Sequence, residues 1–173
     1  TGQSNVAIGT NALDANVSSN YNTAVGTFAL GANTGGQNTA VGYSSLLANT
    51  TGIYNVAVGY NSADANTTGS SITVLGHNAL SANTTGSNNV AVGRNALALN
   101  TTAGQNTAVG TFSLAANTTG AENVAIGYNA LSANTTASNN TAVGQAALKV
   151  NTTGTQNTAV GTYSLDAMVT GNN

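Results

Sequence analysis

The chain has 173 residues, of which only 3% are charged: two basic (Arg94, Lys149) and four acidic (Asp14, Asp64, Glu122, Asp166), with neither Cys nor Pro. So few basic groups exclude a phosphate-binding surface for nucleic acid and a polybasic contact with anionic lipid, and the missing cysteines exclude a disulfide framework or thiolate metal site. No apolar run approaches the roughly 18 residues of a membrane span, and the low net charge without proline separates the chain from disordered segments.

From Asn5 onward one phrase recurs, N-[VT]-A-[VI]-G-x-x-A-L-x-A-N-T-T-G-x-x, with its glycine at Gly9, Gly26, Gly42, Gly59, Gly76, Gly93, Gly110, Gly127, Gly144 and Gly161. Eight intervals are 17 residues and one, Gly26 to Gly42, is 16. Self-similarity at a short period marks a solenoid or fibre, in which a unit buries its apolar face only against its neighbours. Residues 1–173 therefore read as a single repeat domain. Thr1-Gly2 matches the end of an N-T-T-G turn, so the chain reads as a segment of a longer fibre protein.

Within a copy, the first element is a short strand of small and β-branched residues, such as Val6-Ala7-Ile8, Thr23-Ala24-Val25 or Val124-Ala125-Ile126. A second short strand is expected through Ala-Leu (Ala12-Leu13, Ala79-Leu80, Ala130-Leu131). Asn-Thr-Thr-Gly then supplies a turn, as at Asn83 to Gly86 and Asn117 to Gly120. Two strands and a turn make one coil of a parallel β-solenoid or β-roll, all-β. Ten coils at about 4.8 Å each predict a rod of roughly 45 to 50 Å.

The leucine of each copy is assigned to the coil interior: Leu13, Leu30, Leu80, Leu97, Leu114, Leu131, Leu148 and Leu165. The alanine at mid-strand (Ala7, Ala24, Ala40, Ala57, Ala91, Ala108, Ala125, Ala142, Ala159, with Val74 as exception), or else its Val/Thr neighbours, is expected to face other copies in a parallel homotrimer. The residue lost from the short interval, Gly26 to Gly42, is expected to fall in the turn, near Gly35-Gly36, leaving the strands in register. Two variable columns read as outer surface: Thr10, Tyr43, Tyr60, His77, Arg94, Tyr128 and Gln145 after the glycine, and Asp14, Leu47, Asp64, Lys149 and Asp166 after the leucine position.

The phrase at Asn106-Thr107-Ala108-Val109-Gly110, with Leu114 and Asn117-Thr118-Thr119-Gly120, resembles the repeat arrays of tail-fibre-like proteins of phages and bacteria, many of which end in an endosialidase-type chaperone domain. The core Val-Ala-Ile-Gly at Val6 to Gly9 and Val124 to Gly127 is also similar to the head repeat of YadA-type trimeric autotransporter adhesins, whose heads are trimers of parallel β-rolls. The resemblance implies a trimeric, extracellular, cell-surface or virion fibre. The YadA-type repeat is shorter, and the N-T-T-G turn is an addition to it.

The recurrent asparagines Asn49, Asn66, Asn83, Asn100, Asn117, Asn134 and Asn151 read as a structural ladder of stacked amides. The same seven satisfy N-x-[ST] and are candidate N-glycosylation acceptors. Paired threonines suggest a minor ice-binding reading, weakened because adjacent extended residues point to opposite faces. Calcium-binding solenoids need far more than three Asp. His77 with Arg94, and Tyr43 with Tyr60, are candidate glycan contacts on successive coils. No Ser/His/Asp or Cys/His set and no phosphate loop is present, so the chain reads as a non-enzyme with no cofactor and no metal. The function expected is a structural fibre region, shaft or head, whose partner is itself. The alternative is an adhesin head that binds host-surface glycan or matrix.

Overall fold

The computed structural model describes residues 2–172. Thr1, half of the turn signature at the start of the chain, lies outside the described residues. Each copy of the repeat contributes one strand: β1 (Val6–Ile8), β2 (Thr23–Val25), β3 (Thr39–Val41), β4 (Val56–Val58), β5 (Thr73–Leu75), β6 (Val90–Val92), β7 (Thr107–Val109), β8 (Val124–Ile126), β9 (Thr141–Val143) and β10 (Thr158–Val160). They pair in parallel and in sequence order into one ten-stranded sheet. The chain is an all-β parallel solenoid, with no helix among the described residues.

The 16-residue interval does not disturb the register: Thr23, Ala24 and Val25 face Thr39, Ala40 and Val41. The turn absorbs the deletion. Asn33 Nδ2 donates to the carbonyl of Gly35, two residues on (2.7 Å), whereas Asn49 Nδ2 reaches that of Gly52, three residues on (3.0 Å). The missing residue is thus the second threonine of the N-T-T-G turn.

The Ala-Leu segment is not a second strand. Every residue in the leucine column has positive φ, from Leu13 (54°) to Leu165 (51°), and so does the residue two places earlier, such as Asn95 (57°) or Phe112 (59°). Two left-handed residues with a single residue between them turn the chain sharply, which a pleated strand cannot do within so short a coil. Backbone hydrogen bonds still run between coils here: Phe112 N–H donates back to Arg94 O (3.0 Å) and Leu114 N–H forward to Ala130 O (2.9 Å). A third left-handed position stands before each strand, as at Tyr21, Gln37 and Tyr54. None of the 30 positive-φ residues other than glycine is Val, Ile or Thr, although those types fill the strands and turns. Branching at Cβ makes this conformation a steric outlier, which explains why the large interior residue is leucine.

Inside the coil, Leu30, Leu80, Leu97, Leu114, Leu131 and Leu148 are fully buried and Leu13 nearly so. Leu165, in the last coil, is 50% exposed and is not core. Leu46 and Ala63 hold the same column in the third and fourth coils, both buried. The mid-strand alanines face this interior too. Ala24, Ala40, Ala57, Ala91, Ala108, Ala125 and Ala142 are completely buried within the single chain, so this column does not face other copies. In a coil this narrow, leucine from one wall leaves room only for alanine on the wall opposite. Alternation then turns the flanking strand residues outward.

One coil departs from the pattern. Ile72 stands in place of the usual asparagine and Val74 in place of alanine, both buried. The coil before it carries Ala63 in place of leucine, and Ala63 N–H bonds to Ala79 O of the coil that holds Val74 (3.0 Å). Val74 and Ile72 restore much of the hydrocarbon that Ala63 lacks.

Candidate functional site

The surface and its supports are set by three ladders that run the length of the rod. Of the turn asparagines, Asn66 Nδ2 donates to Asn49 Oδ1 of the preceding coil (2.9 Å) and to Gly69 O of its own turn (3.0 Å). Asn83, Asn100, Asn117 and Asn134 repeat this in turn, and Asn49 does the same toward Asn33. All seven are fully buried. At the far end Asn151 Oδ1 accepts from its own turn, Gly154 N–H (3.1 Å), and Asn134 Oδ1 lacks a partner. The following coil has Met168 at this position, so the amide ladder has no further member. Because one Nδ2 hydrogen goes to the preceding coil and the other to the residue's own turn, the folded rod offers no nitrogen for a glycan at Asn49 to Asn134, and burial closes Asn151 likewise.

A second asparagine column, just before the strands, escaped the sequence reading although it recurs at the same period. Asn22, Asn38, Asn55, Asn89, Asn106, Asn123, Asn140 and Asn157 are buried. Their Oδ1 accepts the backbone N–H of the next coil, as from Asn55 to Asn38 (3.0 Å), and their Nδ2 crosses to the next turn, as from Asn55 to Gly69 O (2.9 Å). Gly69 O thus takes one amide from each ladder, whereas Gly86 O takes only Asn83 because Ile72 has no amide. Buried carbonyls that would otherwise go unpaired explain why asparagine recurs at both positions.

The third ladder is threonine. Thr67 Oγ1 donates to Thr84 O (2.8 Å) and Thr84 Oγ1 to Thr101 O (3.0 Å), with similar bonds from Thr34 to Thr152. The first threonine of each pair therefore spends its hydroxyl on the neighbouring coil. The second, at Thr51, Thr68, Thr85, Thr102, Thr119, Thr136 and Thr153, is exposed, giving one rank of outward hydroxyls.

The variable column after the glycine is outer surface, with Tyr43, Tyr60 and Tyr128 about half exposed. Tyr43 and Tyr60 stack with centroids 5.1 Å apart, Tyr60 and His77 at 5.5 Å, and Phe28 and Tyr43 form a T-shaped pair with centroids 6.0 Å apart. Arg94 does not join His77; its guanidinium lies 4.6 Å from the Phe112 ring centre. Both faces of Tyr60 are therefore occupied by neighbouring rings, which leaves edges rather than faces for any sugar. The described residues hold no group of three or more His, Cys, Asp or Glu able to hold a metal ion.

On the sheet, the outward column Ile8, Val25, Val41, Val58, Leu75, Val92, Val109, Ile126, Val143 and Val160 is apolar on all ten rungs. Its members are half-buried or exposed, up to 70% at Val160 and 60% at Ile8. The parallel outward column holds Val or Thr on every rung, without a charge. Comparison with protein-family models, curated proteins and solved structures found no match to this chain.

Proposed function

We propose that the chain is a structural rod segment of an extracellular or virion fibre, and that it works as a homo-oligomer, most simply a parallel trimer, joined through the outward columns of its sheet. The observation that carries this reading is the unbroken apolar column from Ile8 to Val160. Ten rungs at about 4.8 Å and two outward residues per strand make an uncharged strip on the order of 400 Å², as large as the largest apolar patch of an ordinary monomer. The strip is flat and repeats with the rod, which suits an identical rod in parallel register. The likeness of the repeat phrase to tail-fibre arrays supports a place outside the cell or on a virion.

Rigidity follows from the ladders. Each coil is tied to the next by strand pairing and, along most of the rod, by a threonine hydroxyl and two asparagine amides, so a bend would lengthen several bonds at once. One histidine and no cysteine in the chain leave nucleophilic and acid–base catalysis without a residue set. Light scattering coupled to size exclusion tests the assembly. Val92→Arg together with Val109→Arg is expected to dissociate the oligomer while the β circular dichroism persists, and Gln145→Arg to leave it assembled. Equal behaviour of the two variants would overturn the assignment of this face.

A further inference from the structure

After each turn residue a column of side chains runs along the rod: Asn20, Gly36, Ile53, Ser70, Ser87, Gly104, Ala121, Ser138 and Thr155. At Gly36 the column is bare. The gap is a notch of about 260 Å³ lined by Ser19, Asn20, Tyr21, Gly36 and Gln37. A Cβ placed on Gly36 would stand 3.1 Å from the Asn20 carbonyl oxygen, a tight contact, and would meet no side chain, so the Asn20 backbone forms the floor of the notch.

The walls of the notch are chemically distinct. Tyr21 is 63% exposed and, unlike Tyr43 and Tyr60, stacks on no other ring. Its backbone is fixed by Tyr21 N–H to Gln3 O (3.1 Å), and the floor by Gln37 N–H to Asn20 O (3.0 Å). Asn20 Oδ1 is engaged by Gln3 N–H (2.6 Å). This leaves Asn20 Nδ2, the Gln37 carboxamide and the Tyr21 hydroxyl free to donate and accept. No charged residue lines the notch. Gly104 is equally bare, but its neighbours Ser87, Asn88 and Gln105 include no aromatic ring.

We propose that the Gly36 notch binds one neutral hexose residue of a glycan. An aromatic face takes the apolar C–H face of a pyranose, and carboxamides bond its hydroxyls in both directions. The absence of charge selects against acidic sugars. The volume lies just under the roughly 300 Å³ at which small-molecule pockets begin, which suits a single sugar rather than a chain. The site adds a binding activity to the rod and does not depend on how the rods assemble.

Saturation-transfer NMR on the whole chain tests it, with the methyl glycosides of glucose, galactose, mannose and N-acetylglucosamine as probes and N-acetylneuraminic acid as the charged comparison. Transfer to at least one neutral glycoside is expected, and none to the acid. It should be abolished by Tyr21→Asn, which removes the ring and keeps a residue tolerant of positive φ. Gly36→Ile should abolish it too, by filling the notch with the residue that the next coil carries as Ile53. Tyr128→Ala should retain it. Transfer to none of the neutral probes, preference for the acid, or transfer that survives in both notch variants with the β circular dichroism intact would overturn the proposal.

Discussion

Leucine is the largest interior residue of the coil because its backbone is left-handed there. Leu114, at φ 50°, should tolerate Met, an unbranched swap that costs under about 1.5 kcal/mol. Leu114→Ile keeps the volume but adds a Cβ branch at positive φ, and should cost roughly 2 kcal/mol or more. Urea midpoints of the two variants check this, and equal losses would contradict the backbone explanation. At the ladder, Asn117→Ala removes the donor to Asn100 Oδ1 and Gly120 O and the acceptor for Asn134 Nδ2. With about 1 to 3 kcal/mol for each buried group left unpaired, a loss of about 3 kcal/mol or more is expected in the same measurement.

Asp64 is the residue with a pH signature. Burial lifts its carboxyl above the usual value of 3.8, against the lowering pull of backbone hydrogen bonds from Asp64 and Ala65, and its Oδ1 is buried without a partner. A raised folded-state value means that the folded chain holds this proton more tightly than the unfolded one. Acidification through the raised value toward 3.8 therefore adds stability, which is lost again as the pH rises through that window. Asp64→Asn is expected to raise Tm at neutral pH and to flatten the gain on its acid side, read from a Tm series against pH.

At the scale of the coil, the two glycine columns behave differently. Gly110 has φ +129°, and a Cβ there would stand 2.6 Å from Gly127 O and 2.7 Å from its carbonyl carbon. The glycine is kept in all ten coils. A Cβ on Gly120 would also crowd the Ala137 carbonyl, yet Ala103 and Ala137 occupy that very column, so the turn yields. Gly110→Ala should lower stability by roughly 3 kcal/mol or more, and Gly120→Ala by less than about 1 kcal/mol, by thermal or urea unfolding.

The period, the parallel strand and its register were legible in the sequence because the repeat is nearly exact and its strand residues are β-branched. The inward side of that strand was not. With Val or Ile on one face and Ala on the other, both sides are apolar, and only the narrowness of the coil decides that alanine goes in. The leucine turn was read as a second strand because leucine carries no signal for positive φ; the signal lay in what that position lacks, any Val, Ile or Thr in ten copies. The second asparagine ladder was written in the repeat phrase itself, but its role appears only when the next coil's backbone N–H is seen above each Oδ1. The Gly36 notch needed the third dimension, since it forms where a bare rung meets a ring from the coil below.

Assembly of the whole molecule turns on what covers the sheet. Burial of the alanine column means that an Arg placed there would unfold the coil rather than merely separate copies, so assembly is tested on the outward Val and Ile instead. Sedimentation equilibrium of the unmodified chain is the most direct measurement. A rod that covers its apolar strip with copies of itself should sediment at a multiple of 16.8 kDa, three times that mass for the trimer, with a mass that falls on dilution. A fully folded chain that stays at 16.8 kDa to the highest attainable concentration would contradict the account.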